Sequence, residues 1–248
     1  MRHNRAKEKL AAGKPISMVA PSYTSAGLVE LLGHMGFDAI FIDCEHGPAG
    51  WEEVENMVRA AELTDATPIV RVQSNDPSTI TRALDRGAGG VQVPHVNTCV
   101  EAEAAVRSAK FAPLGHRGYA GGRAAFGVTG NFTGHANDET MVVAMLEEVE
   151  ALKNLDAILK VEHIDALFMA PGDLAQSMGH PGQMDHPDVQ AAIEDAVRRT
   201  RAAGRAPGML TTNAASARRA LDLGALLIYV SLASLLQPGA RDFLSVFK

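Results

Sequence analysis

Ile16-Ser17-Met18-Val19-Ala20-Pro21-Ser22-Tyr23-Thr24 is an apolar run of strand length that passes directly into a turn without glycine. A doubly wound open sheet that binds a nucleotide announces its ligand with a Gly-rich turn after the first strand. Pro21 to Thr24 offer no such turn, and neither a G-x-G-x-x-G nor a P-loop pattern occurs elsewhere in the chain. The alternation of strands and helices that continues downstream therefore reads as a closed barrel.

Working outward, apolar runs bounded by turn residues recur at Ala39–Asp43, Pro68–Arg71, Gly90–Val93, Val142–Leu146, Ala166–Met169, Ala206–Leu210 and Leu226–Val230. Amphipathic segments lie between them, several with start and stop signals. Asp76-Pro77 offers an N-cap with proline at the first helical position, and Thr98 and Asn213 can cap the helices that follow them. Gly87 and Gly224 stand where helices should end. Strands and helices alternate with no low-complexity linker, so the expectation is an α/β fold, one (β/α)₈ barrel over residues 1–248. One connection is long. About thirty residues, Phe111 to Thr140, carry Gly115-His116-Arg117-Gly118 and Gly121-Gly122-Arg123, and are expected to reach over the barrel mouth or into a neighbouring subunit.

Composition removes several classes. The 248 residues are 46% hydrophobic and 21% charged with a net charge of −6, which is globular and carries no basic footprint for nucleic acid or an anionic membrane. Cys44 and Cys99 lack metal-type spacing and are read as reduced thiols. No apolar run approaches the ~20 residues of a membrane span and no signal peptide opens the chain, so a cytoplasmic protein is expected.

In a (β/α)₈ barrel the chemistry collects at the C-terminal ends of strands. The second strand ends in Asp43-Cys44-Glu45-His46-Gly47-Pro48, the third at Arg71, the fifth at Glu147-Glu148 and the sixth at Pro171-Gly172-Asp173. Each has an ordinary use: Asp173 as a helix cap, Glu147 as a first-turn acid, Arg71 as an ion-pair partner, His46 as a loop residue. Their coincidence at four strand ends favours a site. Two carboxylates suit Mg²⁺ or Mn²⁺, with Co²⁺ also compatible, whereas no Cys/His cluster points to structural zinc. His46 between Asp43 and Glu45 is placed for acid–base work.

Taken together, Gly36 to Pro48, Val70-Arg71-Val72, Arg82 to Ala88 with Val91 to Val96, Arg117-Gly118, Glu147 with Ala151 to Leu155, and Ala170-Pro171-Gly172-Asp173-Leu174 resemble the HpcH/HpaI aldolase family of metal-dependent class II pyruvate aldolases over nearly the whole chain. The resemblance implies that Glu147 and Asp173 hold the metal, that His46 is the base acting through a metal-bound water, and that Arg71 stabilises enolate charge. It further implies that Asp85 raises the basicity of the histidine and that the Gly172 backbone holds the substrate carboxylate. Read from the residues, Asp85 lies at the wrong end of a simple barrel and serves equally well in a helix-surface ion pair with Arg82 or Arg86, and Asp43 and Glu45 compete with it to orient His46. The implied reaction is reversible cleavage of a 4-hydroxy-2-oxo acid to pyruvate and an aldehyde, with no lysine placed for a Schiff base.

The chain departs from the family pattern at Met145, where members often carry a glutamine that contacts substrate, at Ala170-Pro171-Gly172-Asp173, and at Ser231-Leu232-Ala233. Two other readings stand beside the aldolase: a citrate-lyase-β-like enzyme acting on an acyl-CoA thioester, and a degenerate barrel kept as a binding module. The resemblance also implies a homo-oligomer, typically a hexamer. The apolar tail Leu232 to Leu236 with Phe243, Leu244, Val246 and Phe247 needs burial.

Overall fold

Parallel strands close on themselves in chain order: β1 (Ile16–Ala20), β2 (Ala39–Asp43), β3 (Thr67–Arg71), β4 (Gly90–Val93), β5 (Met141–Leu146), β6 (Ala166–Met169), β7 (Ala206–Thr211) and β8 (Leu227–Ser231). β8 returns to β1 with Val230 opposite Val19. This computed structural model describes residues 2–120 and 122–247; Met1, Lys248 and Gly121 of the Gly121-Gly122-Arg123 segment lie outside the described residues. The barrel expected from the sequence is the fold found, with four strands bounded as expected, three longer by one residue at one end, and the last shifted by one residue at both ends.

Helices cover the outside: α1 (Arg5–Ala11), α2 (Ala26–His34), α3 (Trp51–Glu62), α4 (Pro77–Asp85), α5 (Cys99–Ala109), α6 (Phe132–Glu139), α7 (Val149–Lys153), α8 (Leu155–Ile158), α9 (Pro171–Ser177), α10 (Pro187–Ala202), α11 (Ala214–Asp222) and α12 (Leu232–Ser245). The caps are those the sequence signals. Asp76 accepts from the backbone N–H groups of Ser78 and Thr79, Thr98 forms a capping box with Glu101, and Asn213 caps α11 through Ser216. Gly87 and Gly224 close their helices in the left-handed region, at φ of 96° and 99°.

The strands are buried on both faces, which is why they read as continuous apolar runs. Met18, Phe41, Ile69, Met141 and Phe168 fill the barrel interior. Ile40, Ile42, Val70, Val91 and Leu146 face the helices. Side chains alternate along a strand, so Asp43 and Arg71, two residues beyond Phe41 and Ile69, point inward at the mouth.

The 111–140 excursion corrects an expectation. Helix α5 runs back against its strand, so its end and the start of β5 both lie at the N-terminal end of the barrel, away from the mouth. The excursion is also not bare loop: it contains a single 3₁₀ turn, Arg123–Ala125, and α6. Buried Lys110 ties it down by donating to the carbonyls of Asn137 (2.6 Å) and Thr140 (2.7 Å). Arg123 pairs with Glu62 at the end of α3.

Helices α2 and α3 meet through a close approach. A Cβ on Gly33 would lie 1.8 Å from Oγ1 of Thr64, which itself donates to the Ala61 carbonyl at 3.0 Å. Gly33→Ala should destabilise the chain by about 1–3 kcal/mol in urea unfolding, and adding Thr64→Gly should recover part of the loss. An unchanged midpoint would show that the α2–α3 gap yields freely.

Candidate active site

The mouth is organised from β2. Asp43 ends the strand with its carboxylate turned back on its own loop, accepting from the backbone N–H groups of Glu45 (3.1 Å) and His46 (3.3 Å). Such a turn is a common use of aspartate. The chain then folds so tightly that a Cβ on Gly47 would stand 2.2 Å from the Asp43 carbonyl oxygen, so only glycine fits there. The same Asp43 carboxylate receives Arg71 from the adjacent strand in two-pronged fashion, Nε at 2.9 Å and Nη2 at 2.7 Å. Arg71 Nη1 lies 3.0 Å from Glu45 Oε2, and the guanidinium carbon stands 5.5 Å from the centre of the Phe41 ring. Burial alone would raise the Asp43 carboxyl, but Arg71 and the two backbone donors outweigh it and hold the group below its ordinary range.

Opposite this pair, Glu147 follows β5 directly and is 1% exposed. Burial raises its carboxyl, and the negative charges of Asp173 and Glu45 add to that. It is partly relieved by His95. The His95 backbone N–H donates to Glu147 Oε1 at 2.6 Å, from a left-handed backbone with φ of 53° that non-glycine residues seldom adopt. The His95 ring spans the acids, with Nδ1 2.8 Å from Glu148 and Nε2 3.5 Å from Glu45. Burial opposes charging of this ring, yet Glu148, Glu147 and Glu45 together raise its pKa.

The structure thus brings Asp43, Glu45, Arg71 and Glu147 to one mouth. Asp173 and Gly172 sit in the first turn of α9, where Asp173 is not the cap residue, and Met145 lies buried in the interior below Glu147. His46 stands on the rim with 70% of its side chain exposed, 3.9 Å from Glu45. Asp85 is not brought to His46 within this chain. It ends α4 at the opposite end of the barrel, where Arg117 Nη2 donates to it at 2.8 Å, and not Arg82 or Arg86. Sequence reasoning missed His95, although Val93-Pro94-His95 ends a barrel strand and the same rule would have found it.

Among the clefts around the barrel are two of about 590 and 560 Å³. The first opens beside Arg2, Glu62 and Gly89 at the N-terminal end. The second opens beside Asp43 and His46, between Pro21, Tyr23, Phe41 and Tyr229. The donor set of the mouth is carboxylate oxygen, and Glu45 is engaged by Arg71. Glu147 and Asp173, close enough for the charge of one to act on the other, fit a hard divalent cation. Among the described residues, the group of three possible ligand side chains that lie within 4.8 Å of one another is elsewhere: His180, His186 and Asp188, which precede and open α10. There the His186 Nδ1 already accepts from the Asp188 backbone N–H as a helix cap, and Asp188 is exposed.

The chain is similar to known proteins over nearly its whole length. The family model described as HpcH/HpaI aldolase/citrate lyase matches residues 17–235. The 4-hydroxy-2-oxo-heptane-1,7-dioate aldolase of Klebsiella pneumoniae subsp. pneumoniae is 39% identical over 99% of this chain and 94% of that protein. An HpcH/HpaI aldolase/citrate lyase family protein from Burkholderia cenocepacia J2315 superposes with a TM-score of 0.93 at 33% identity, covering 98% of this chain and 99% of the other. The HpcH/HpaI aldolase of Desulfitobacterium hafniense DCB-2 gives 0.91 at 30% identity, covering 98% and 96%.

Two measurements check the β2 end. Gly47→Ala should displace the His46 loop and cost about 1–3 kcal/mol of stability, since the obstructing atom is backbone; an unchanged melting temperature would refute the close approach. Asp43, held below its ordinary value of 3.8, contributes stability that is present above that pH and lost as pH falls through its folded pKa. Asp43→Asn should therefore flatten the acid side of the stability–pH curve, and an unaltered acid limb would contradict the pairing with Arg71.

Proposed function

The chain belongs to the HpcH/HpaI aldolase/citrate lyase family and is a carbon–carbon lyase of its metal-dependent class II aldolase type, and we propose that it reversibly cleaves a 4-hydroxy-2-oxo acid to pyruvate and an aldehyde. The observation that carries this reading is the buried Glu147 carboxylate, facing the charge of Asp173 in the same mouth as the Asp43-clamped Arg71.

Glu147 and Asp173 would hold Mg²⁺ or Mn²⁺. When bound, the cation supplies Lewis-acid polarisation of the substrate carboxylate and 2-oxo group. Everything else is done by side chains and backbone. The Gly172 backbone in the first turn of α9 is placed beside Asp173 for the substrate carboxylate. Arg71 presents a fixed positive charge whose orientation is set by Asp43, so it is preorganised for the enolate that forms when the C3–C4 bond breaks. His46 takes the proton of the 4-hydroxyl as the aldehyde departs, and its exposure gives that proton a path to solvent. The electron pair of the broken bond passes into the enolate, which is then protonated at carbon to give pyruvate. Asp43 and Glu45, within reach of the His46 loop, are better placed than Asp85 to orient it inside one chain.

The acyl-CoA reading would need a groove for a long polyanionic ligand, and the cleft beside His46 is lined by Pro21, Tyr23, Phe41 and Tyr229. The binding-module reading would leave the charge concentration at Glu147 without use. The exposed Leu235, Leu236, Phe243 and Leu244 of α12 support a homo-oligomer, with a hexamer as the assembly and the cytoplasm as the compartment in the same reading. No helix among the described residues is long and apolar enough to cross a membrane.

Exchange of pyruvate methyl protons into D₂O tests the half-reaction without knowledge of the aldehyde. It should require divalent metal, stop in EDTA, and be lost in Glu147→Gln with the fold intact. Full exchange in EDTA would sink the proposal. His46→Ala should lower the rate by about 10²–10⁴-fold and Arg71→Lys by about 10²–10³-fold, since lysine lacks the planar fork. Sedimentation at micromolar concentration should show an oligomer, and a monomer would remove that part.

A further inference from the structure

Gln92 is the anomaly of the mouth. It lies on β4, register-paired with Arg71 of β3 on one side and Val143 of β5 on the other. Its direction follows from its strand. A Cβ on Gly90 would strike Ile69 and Met141, both residues of the barrel interior, so Gln92, two residues on, also points inward. The side chain therefore sits in the same ring of inward residues as Arg71, at the floor of the mouth.

It is 1% exposed, and its Oε1 has no hydrogen-bond partner among the described residues. Burying a carboxamide oxygen without a partner is unfavourable, and such orphans are rare enough that each calls for a cause. The neighbouring interior residues Phe41, Ile69 and Val143 are apolar, so an apolar side chain would fill this position without that cost. An amide kept where packing would favour Leu or Met is a group held in reserve for a ligand.

The chemistry of the mouth says which ligand. A 2-oxo acid offers only acceptor oxygens at its carboxylate and keto groups, and Arg71 is the obvious donor. Yet Arg71 already directs Nε and Nη2 to Asp43 and faces Glu45 with Nη1. Two of its five N–H groups hold Asp43 and Nη1 is turned to Glu45, so a substrate oxygen entering this ring would gain from a second donor. A half-turn about the terminal bond of the Gln92 side chain exchanges its oxygen and NH₂ positions, which lets the orphaned end present a donor to that oxygen.

We propose that Gln92 is a substrate-binding residue whose side-chain amide hydrogen-bonds the 2-oxo acid at the floor of the barrel mouth. The inference rests on the aldolase reading of the same site. It predicts opposite effects on stability and on binding, which a packing role alone would not produce. Gln92→Met removes the orphan, so the melting temperature of the variant without substrate should equal or exceed that of the wild type. The KM for pyruvate in the metal-dependent D₂O exchange should nevertheless rise by roughly tenfold or more, the usual effect of losing a hydrogen bond to a charged group, with a smaller change in kcat. Gln92→Leu gives the same readout if methionine packs poorly. Met145 is an inward residue of the adjacent strand, so Gln92→Met with Met145→Gln should regain part of the lost affinity by offering an amide from β5. If the wild type exchanges protons and Gln92→Met shows unchanged KM and kcat with a raised melting temperature, the amide is a mere structural orphan and this inference alone falls. If the wild type does not exchange protons with metal present, the aldolase reading falls and takes this one with it.

Discussion

The two-pronged pair between Asp43 and Arg71 is the constraint on which the mouth depends. It joins the C-terminal ends of β2 and β3, where the two residues stand directly opposite each other in register, and is only partly open to water, with Arg71 12% and Asp43 23% exposed at the side chain. A surface ion pair at such a place would matter little. Here the pair is tied to three further features: the turn that carries His46, the face of Arg71 presented to Glu45, and the aromatic floor at Phe41. Neutralising Asp43 would leave the half-buried arginine with Glu45 alone and without its two-pronged partner, which costs more than the net worth of the pair.

Around that clamp the mouth is a balance of charge. Glu45, Glu147, Glu148 and Asp173 supply more negative charge than Arg71 offsets. The strained backbone of His95 and its ring across the acids are the protein's own partial answer. Such strain persists only where the surroundings over-determine it, and the buried Glu147 is what determines it here. A hard cation completes the same balance from outside the chain. Acids, arginine and histidine thus share one electrostatic arrangement, which is why the proposed roles of Glu147, Asp173 and Arg71 stand or fall together. The opposite end of the barrel has a different logic. Lys110 ties the end of α5 to the 111–140 excursion there, Arg117 and Arg123 fasten that excursion to α4 and α3, and their charges are consumed by structure.

Much of this was legible in the chain before any coordinates. Strand length, apolar runs buried on both faces, capping residues at 76, 98 and 213 and helix-ending glycines all act locally, within one or two turns of chain. Hence the eight strands, their order and the strand-end residues Asp43, Arg71 and Glu147 could be read directly. The strand-end rule also covered His95 and would have reached it had β4 been read to its end.

What the chain could not decide alone was everything that depends on direction or on partners distant in sequence. The 111–140 segment carries arginines and glycines suited to a lid, but the antiparallel course of α5 delivers it to the far end of the barrel. Asp85 looks like an ion-pair residue for its helix neighbours, yet its partner is Arg117, 32 residues away. Gln92 reads as one polar residue in a strand, and only closure of the barrel turns it into a buried, unpartnered amide beside Arg71. Sequence by itself determined the elements, because their causes are local. Tertiary structure decided which charges meet, because that depends on the handedness, closure and register of the whole barrel.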